Sequence, residues 1–341
     1  MKDVHLLASA PTMQAINRWP HFLATLVFFF VFASSAIAAD WVPTKAIEIV
    51  IPSSVGSGQD SIGRAIQRII QDKRLVDTPV TAVNKPGGSQ AIGYNYVNQH
   101  AGDPHYLAIC TVNLVSNSIT GTNPLTYTDV TPIAIMAQEY LLIVVRGDSP
   151  IKDGKDFVNQ LQRDPSSLSV GFAPGPGGSA HITLGLVAKA TGIDVSKLKI
   201  VLFKGGGAAT IAVLGGHIDA AVTAVPVVLS QMQAGKIRAL AVAAPRRLSG
   251  ATASIPTWRE LGVNAVFTNW RGIFGPRGMR PDQIAFWEGV LREVTKTEEW
   301  KQMLQKDNKA EVFYDARESK KFLAAQYVDF RSVLTDLGLA K

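Results

Sequence analysis

Four times along this chain an apolar run meets a glycine-rich turn and then an amphipathic stretch, and this recurrence constrains the fold more than any other feature. In "IEIVIPSSVGSGQDSIGRAIQRIIQ", Ile47 to Gln71, the run Ile47 to Ile51 is strand-like. Ile62, Ala65, Ile66, Ile69 and Ile70 then recur at the spacing of one helix face. Asp60 or Ser61 stands where a helix cap belongs. The second unit is "VTAVN" (Val80 to Asn84), the turn "KPGGSQ" (Lys85 to Gln90) and a helix through Ile92, Tyr96 and Val97. The third joins "SLSVGFA" through "PGPGGS" to the stretch His181 to Ala190, and the fourth joins "KIVLFK" through "GGG" to Ala208 to Leu214. Strands that alternate with helices predict an α/β fold of largely parallel sheets covered on both faces.

Further strands are read at "HYLAICTV", "LLIVVR" (Leu141 to Arg146), "HIDAAVTAV", "IRALAVAA" and "VFTNWRGIFGP". Lys152 to Pro165, Pro281 to Leu304 and Glu318 to Leu337 have helical spacing. A chain of 341 residues, 47% hydrophobic and 18% charged, is globular and long enough for two lobes. No Ser/Pro linker separates them, so the chain has to cross between lobes through strands, and Leu142 to Val145 and Thr268 to Phe274 are the candidates. The expected domains are 39–141 together with 268–341, and 142–267.

The beginning of the chain is set apart from this pattern. "FLATLVFFFVFASSAIA", Phe22 to Ala38, follows Arg18 and ends in the small-residue triplet Ala36-Ile37-Ala38, which reads as a secretory signal peptide over 1–38. A retained membrane anchor is the alternative. No later apolar run approaches the roughly 18 residues of a membrane span, so a soluble protein outside the cytoplasmic membrane is expected. The single cysteine, Cys110, has no internal disulfide partner, and its apolar neighbours predict a buried thiol. The net charge of +7 is scattered, with no basic run longer than a pair such as Arg246-Arg247. That argues against nucleic acid as a partner and is compatible with an acidic small ligand.

Sequence motifs for catalysis or cofactors are lacking. Gly56-Ser57-Gly58 is not followed by glycine at the dinucleotide spacing, and Lys204 precedes its glycines, so neither nucleotide loop is matched. "GSAHI" around Ser179 lacks the closing glycine of a nucleophile elbow, and no HExxH or cysteine-rich metal motif occurs. No cofactor, no metal and no enzymatic activity are therefore expected. The four turns share a different property. The first turn of a helix leaves backbone N–H groups unpaired at the positive end of its dipole, and glycine lets a ligand approach them. In a parallel sheet such turns lie on one edge, where several can surround one anion; any one turn taken alone is better explained as a tight turn, and the four together reverse that preference.

These turns, in this order, resemble the periplasmic solute-binding proteins of tripartite tricarboxylate transporters, the family that includes the Bordetella uptake proteins. "IEIVIPSSVGSGQD" is similar to the family's opening strand, proline, glycine-rich turn and aspartate. "VTAVNKPGGSQAIGYNYV" resembles its "V-x-N-x-P-G-A-G-G-x-x-G" segment at Asn84, Pro86, Gly87, Gly88 and Gly93. "GGSAHITLGLV", "LFKGGGAATIAVLGGHIDAAV", "AGKIRALAVAAPRR" and "IPTWRELGV" continue the match over nearly the whole chain past the leader. The resemblance implies a type II periplasmic-binding-protein fold with an interdomain cleft. It also implies capture of a small organic acid, a di- or tricarboxylate such as citrate above others, and delivery to the transporter's membrane subunits. A monomer is expected. Presentation of the closed complex to a sensor kinase is the alternative, and a secreted hydrolase or lyase is a more distant one.

Carried over residue by residue, the resemblance implies a ligand site built from four turns and a strand end. The first turn offers Ser54, Ser57, Gly58, Gln59 and Asp60, with Asp60 read as a helix cap or turn-ordering residue because a carboxylate would repel an anion. Ser89 and Gln90 come from the second turn and Asn113 from the strand end after "ICTV". The third turn supplies Gly178, Ser179, Ala180 and His181, the last either supporting the loop or touching ligand. Lys204 and Gly205 come from the fourth. Arg271 is read either as a grip on a second carboxylate or as half of a structural ion pair.

Overall fold

Strand β1 (Ile47–Ile51) sorts its side chains by alternation: Ile47, Ile49 and Ile51 enter one apolar cluster and Val50 another. In this computed structural model, which describes residues 41–173, 175–203 and 205–341, that alternation organises the first of two sheets. The leader expected over 1–38 lies outside the described residues, among which no helix is long and apolar enough to cross a membrane.

The six-stranded sheet has the order β11-β4-β10-β3-β1-β2, with β2 Val80–Asn84, β3 Tyr106–Cys110, β4 Thr131–Glu139, β10 Asn269–Gly275 and β11 Ala310–Tyr314. The five-stranded sheet has the order β7-β6-β8-β5-β9, with β5 Leu141–Arg146, β6 Ser169–Phe172, β7 Lys199–Leu202, β8 Ala220–Ala224 and β9 Ile237–Val242. Pairing is parallel where β1 meets β2 and β3, and where β6 meets β7 and β8. Both sheets are otherwise antiparallel, so the expectation of largely parallel sheets holds only for the strands that carry the glycine-rich turns and for β3 and β8 beside them. The reason is connectivity. A strand that enters from the neighbouring sheet, such as β5 or β10, needs no crossover helix and is free to run the other way.

The first crossing is abrupt: β4 ends at Glu139, β5 begins at Leu141, and Tyr140 alone lies between them. The second runs from β9 to β10, and the register sets Asn269 opposite Glu139 and Leu142 opposite Val242, so the crossings lie side by side.

Helices cover both sheets: α1 Gly58–Asp72, α2 Ala91–Asn98, α3 Asn113–Ile119, α4 Gly154–Arg163, α5 Ser179–Ala190, α6 Gly206–Leu214, α7 Val225–Gln233, α8 Pro281–Lys296, α9 Glu298–Lys306 and α10 Ala316–Asp336. All five apolar residues expected on the buried face of α1 are buried. The helix expected through Ile92, Tyr96 and Val97 is α2, in which Tyr94 and Val97 pack inward and Ile92 is exposed. Ile49 and Ile109 pack with Ile66 of α1 and Trp287 of α8 in one cluster, and Leu142 and Val144 pack with Val213 and Val228 in another. A third cluster draws Val50, Ala108 and Ile135 from the six-stranded sheet together with Ile143, Val170 and Val222 from the five-stranded one. Cys110 belongs to it, and burial pushes its thiol pKa up. The end of the chain ties both halves: Lys189 of α5 donates to Ser332 of α10 at 2.7 Å, and the Lys341 N–H donates to the carbonyl of Ile119 at 2.9 Å.

Candidate functional site

The parallel strands β1, β2 and β6 end at one region, as parallel α/β topology requires. Pro52, Ser53 and Ser54 follow β1; Pro86, Gly87, Ser89 and Gln90 follow β2; Gly175, Pro176, Gly177 and Gly178 follow β6. With Asn113, Ser116 and Asn117 of α3 and the succeeding Thr120 and Thr122, they enclose a cleft of about 460 Å³.

The first wall is held from behind by a buried carboxylate. Helix α1 begins at Gly58, and Ser57 rather than Asp60 or Ser61 caps it, its Oγ accepting the Asp60 N–H at 3.2 Å. Asp60 is thereby freed to order the turn. Its oxygens accept from the Gly56 N–H, from Arg64 Nε and from Asn84 Nδ2, each at 2.9 Å. Burial alone would raise the carboxyl pKa, but the bonds from Gly56, Asn84 and Arg64 outweigh it and hold the group below its ordinary value. Asn84 also donates to the carbonyl of Ser53 at 2.9 Å, which binds the turn after β1 to the end of β2. Gly93 lets α2 close on the same turn, since a Cβ there would lie 2.6 Å from the Pro52 Cβ.

The second turn is left-handed. Gly87, Gly88, Ser89 and Gln90 have φ of +120°, +55°, +51° and +79°. The Ser89 carbonyl accepts from Asn117 Nδ2 at 2.8 Å, and Gln90 Oε1 accepts from the Tyr94 hydroxyl and from Thr111 Oγ1. Asn113, at the start of α3, has its backbone N–H on Thr111 Oγ1 at 3.3 Å.

The opposite wall is backbone. Gly177 has φ +73°, and its N–H donates to His181 Nδ1 at 3.2 Å; Gly178 is the N-cap of α5. His181 is buried against Phe172, with the ring centroids 4.8 Å apart, and burial lowers its pKa to about 4. A neutral ring that accepts at Nδ1 carries its proton on Nε2, and that buried atom has no partner among the described residues.

Of the residues singled out in the sequence, Ser54, Ser89, Gln90, Asn113 and Gly178 meet in the cleft. Ser57 and Asp60 lie behind the first wall, and Gly58 and Gln59 continue into α1, the Gln59 Oε1 being buried. Ser179, Ala180 and His181 run into α5 rather than lining the cleft. Gly205 caps α6 beyond the edge strand β7, away from the lining, and Lys204 lies outside the described residues. Arg271 sits at the strand crossings, donating to Glu139 Oε2 at 3.0 Å and to Asn269 Oδ1 at 2.8 Å, and is not part of the lining.

Sequence reasoning missed Ser53, Ser116, Asn117, Thr120 and Thr122. A signal was present. In "NLVSNSIT" the polar positions 113, 116, 117 and 120 share a helix face opposite Leu114, Val115 and Ile119, all three of which are buried. Neutral donors from side chains and backbone, converging without an aspartate or glutamate among the described lining residues, suit an anion or a hydroxylated molecule.

Comparison with known proteins agrees with this geometry. The family described as the tripartite tricarboxylate transporter family receptor matches residues 62–339. A UPF0065 protein in the gbd 5' region of Cupriavidus necator is 25% identical, with 89% of this chain and 90% of that protein covered. BugT of Bordetella pertussis is 24% identical, with 93% and 97% covered. Among solved structures, a TctC solute-binding protein from Polaromonas superposes with a TM-score of 0.75 at 24% identity, covering 86% of this chain and 99% of that one. Rpa4515 of R. palustris with adipate gives 0.72 at 22% identity, covering 88% and 99%. MatC of Rhodopseudomonas palustris with bound malate gives 0.68 at 21%, covering 86% and 99%. The two sheets with a cleft between their turns are thus the two-lobed periplasmic-binding fold, and the chain belongs to the receptor family of the tripartite tricarboxylate transporters.

Proposed function

We propose that this protein is a periplasmic solute-binding protein, exported by a signal peptide over 1–38, that captures a small organic carboxylate and presents it to the membrane subunits of a tripartite tricarboxylate transporter. A di- or tricarboxylate such as citrate is the favoured ligand. One observation carries the reading: donor-rich turns from both sheets face a single cleft of about 460 Å³, with no acidic side chain among the described lining residues. The positive end of α5, whose N-cap Gly178 lines the cleft, adds attraction for an anion. The lobes are 39–141 with 268–341, and 142–267; they close on the ligand by bending at the crossings beside Tyr140 and Asn269, and closure strengthens each bond to the carboxylate by excluding water. The protein acts as a monomer, without catalysis or cofactor. Related proteins with bound malate and adipate support the ligand class.

The test is a thermal-shift screen of the purified protein against citrate, other di- and tricarboxylates, acidic amino acids, aromatic acids and neutral sugars. A ligand at one hundred times its Kd stabilises the fold by about 2.7 kcal/mol. Saturable stabilisation by one class of acid, with the compound recovered unchanged, is the expected result. Stabilisation by sugars alone, or chemical conversion of the bound acid, would sink the proposal.

A further inference from the structure

The turn after β2 is built in a way that a simple connection does not require. Of its four consecutive left-handed residues, two carry side chains, Ser89 at φ +51° and Gln90 at φ +79°. L residues avoid this region because Cβ crowds the following carbonyl oxygen, so two in succession on a cleft wall point to a role beyond connection. Gln90 has one. Its Oε1 accepts from the Tyr94 hydroxyl and, at 2.9 Å, from Thr111 Oγ1; each hydroxyl oxygen already accepts a backbone N–H, from Thr111 and Asn113 respectively, so a flip of the amide would leave the Tyr94 proton without its acceptor. The Tyr94 oxygen in turn accepts the Thr111 N–H at 3.2 Å. Burial raises the pKa of Tyr94 and keeps it a phenol, able to donate. With its carbonyl side occupied, Gln90 has only its NH2 left for the cleft it lines, and among the described residues that nitrogen donates to no protein group.

We propose that Gln90 is a specificity-determining residue, a fixed amide donor that grips a carboxylate oxygen of the ligand, and that Tyr94 and Thr111 are the positioning residues that set its orientation. The proposal rests on the carboxylate-binding reading above. A carboxylate oxygen accepts from such a donor, whereas a ligand ammonium in the same place would face N–H groups and be rejected. The strained backbone brings the amide to the wall, and the Tyr94–Thr111 pair decides which end of it the ligand meets.

The experiment is titration calorimetry of citrate, malate, adipate, glutamate and benzoate into the wild-type protein, and of each acid that binds into Gln90→Glu, Gln90→Leu, Tyr94→Phe and the Tyr94→Phe/Gln90→Leu double variant. Gln90→Glu replaces the donor by a like charge of the same shape and is expected to lower affinity at least about 100-fold. Gln90→Leu and Tyr94→Phe are each expected to cost about 3- to 10-fold, the worth of one hydrogen bond. Tyr94→Phe should have no further effect once Gln90 is Leu, which a merely structural role for Tyr94 would not produce. Wild-type binding that Gln90→Glu leaves unchanged overturns the assignment of Gln90 alone. Effects of Tyr94→Phe and Gln90→Leu that multiply overturn the positioning role. A wild-type protein that binds none of the acids overturns the carboxylate reading and this proposal with it.

Discussion

The two walls of the cleft are made of different material. On the side of the six-stranded sheet the lining is mostly side chain, from Ser53, Ser54, Ser89, Gln90 and the polar face of α3, and it is braced by Asp60 with Arg64 and Asn84. On the side of the five-stranded sheet it is Gly175 to Gly178, nearly all backbone, braced by His181. Side chains can be exchanged to suit one acid or another, whereas a glycine backbone presents N–H groups to any of them. On the proposed carboxylate reading, the first wall discriminates between ligands and the second holds a carboxylate whatever the rest of the ligand is.

This contrast can be tested most severely at Asp60. Asp60→Ala removes the acceptor for three donors and is expected to cost about 3 kcal/mol, read as a lower urea midpoint at an unchanged m-value. Because its folded pKa is lowered, Asp60 contributes stability that is complete above the unfolded value near 4 and is lost as pH falls through the folded value. Part of the wild-type acid limb should therefore be missing from Asp60→Asn, and coincident limbs would show that the turn does not depend on the charge.

The brace of the other wall responds at milder acidity. His181 is neutral when folded, with a pKa lowered from 6.5 to about 4, so the unfolded chain binds an extra proton between those values. Stability is complete above pH 6.5 and falls by about 3 kcal/mol as pH drops to about 4. His181→Gln, which keeps an acceptor for the Gly177 N–H without the titration, should flatten that part of the curve in pH-dependent urea unfolding. A slope that survives the substitution would mean that other groups carry it.

Smaller effects separate backbone from side chain. Gly177→Ala places a Cβ 3.1 Å from the Thr120 Cγ2 at φ +73°, and about 1–2 kcal/mol of stability should be lost together with affinity. Ser89→Gly should do the reverse for stability, raising it by roughly 0.5–1 kcal/mol because φ +51° suits glycine. Calorimetric melting of the unliganded variants checks both signs, and a stabilised Gly177→Ala protein would refute the claim that the second wall depends on that conformation.

Much of the fold is legible in the sequence. β2 and β5 fall on their expected residues, Val80–Asn84 and Leu141–Arg146, and the apolar face of α1 is the one its spacing predicts, because periodicity reports burial directly. What escaped were β4, β11, α3 and α7. In α3 the polar positions that line the cleft read as surface, since the sequence shows that Asn113, Ser116 and Asn117 share a face but not that another lobe stands opposite it. The site was legible only in part for a related reason. Residues within a glycine-rich turn look equivalent in sequence, yet Ser54 faces the cleft while Ser57, three positions on, is spent on a cap.

By itself the sequence determined that this protein is an α/β chain whose glycine-rich turns follow strands, because alternation and helical spacing are local and each element carries its own record of burial. It also determined the family, since the turns recur in a specific order over most of the chain, where the family model matches residues 62–339. Only the tertiary structure decided which turn residues line the cleft. It committed Arg271 to Glu139 at the crossings and Asp60 to the turn behind the wall, and it left Gln90 with its amide nitrogen for the cleft. The physical reason is that a hydrogen-bonding side chain is available to a ligand only when no protein group has taken it. Some competitors are local, as Tyr94 is for Gln90, but others lie 21 to 132 residues away, and those take their places only when the strands bring them together.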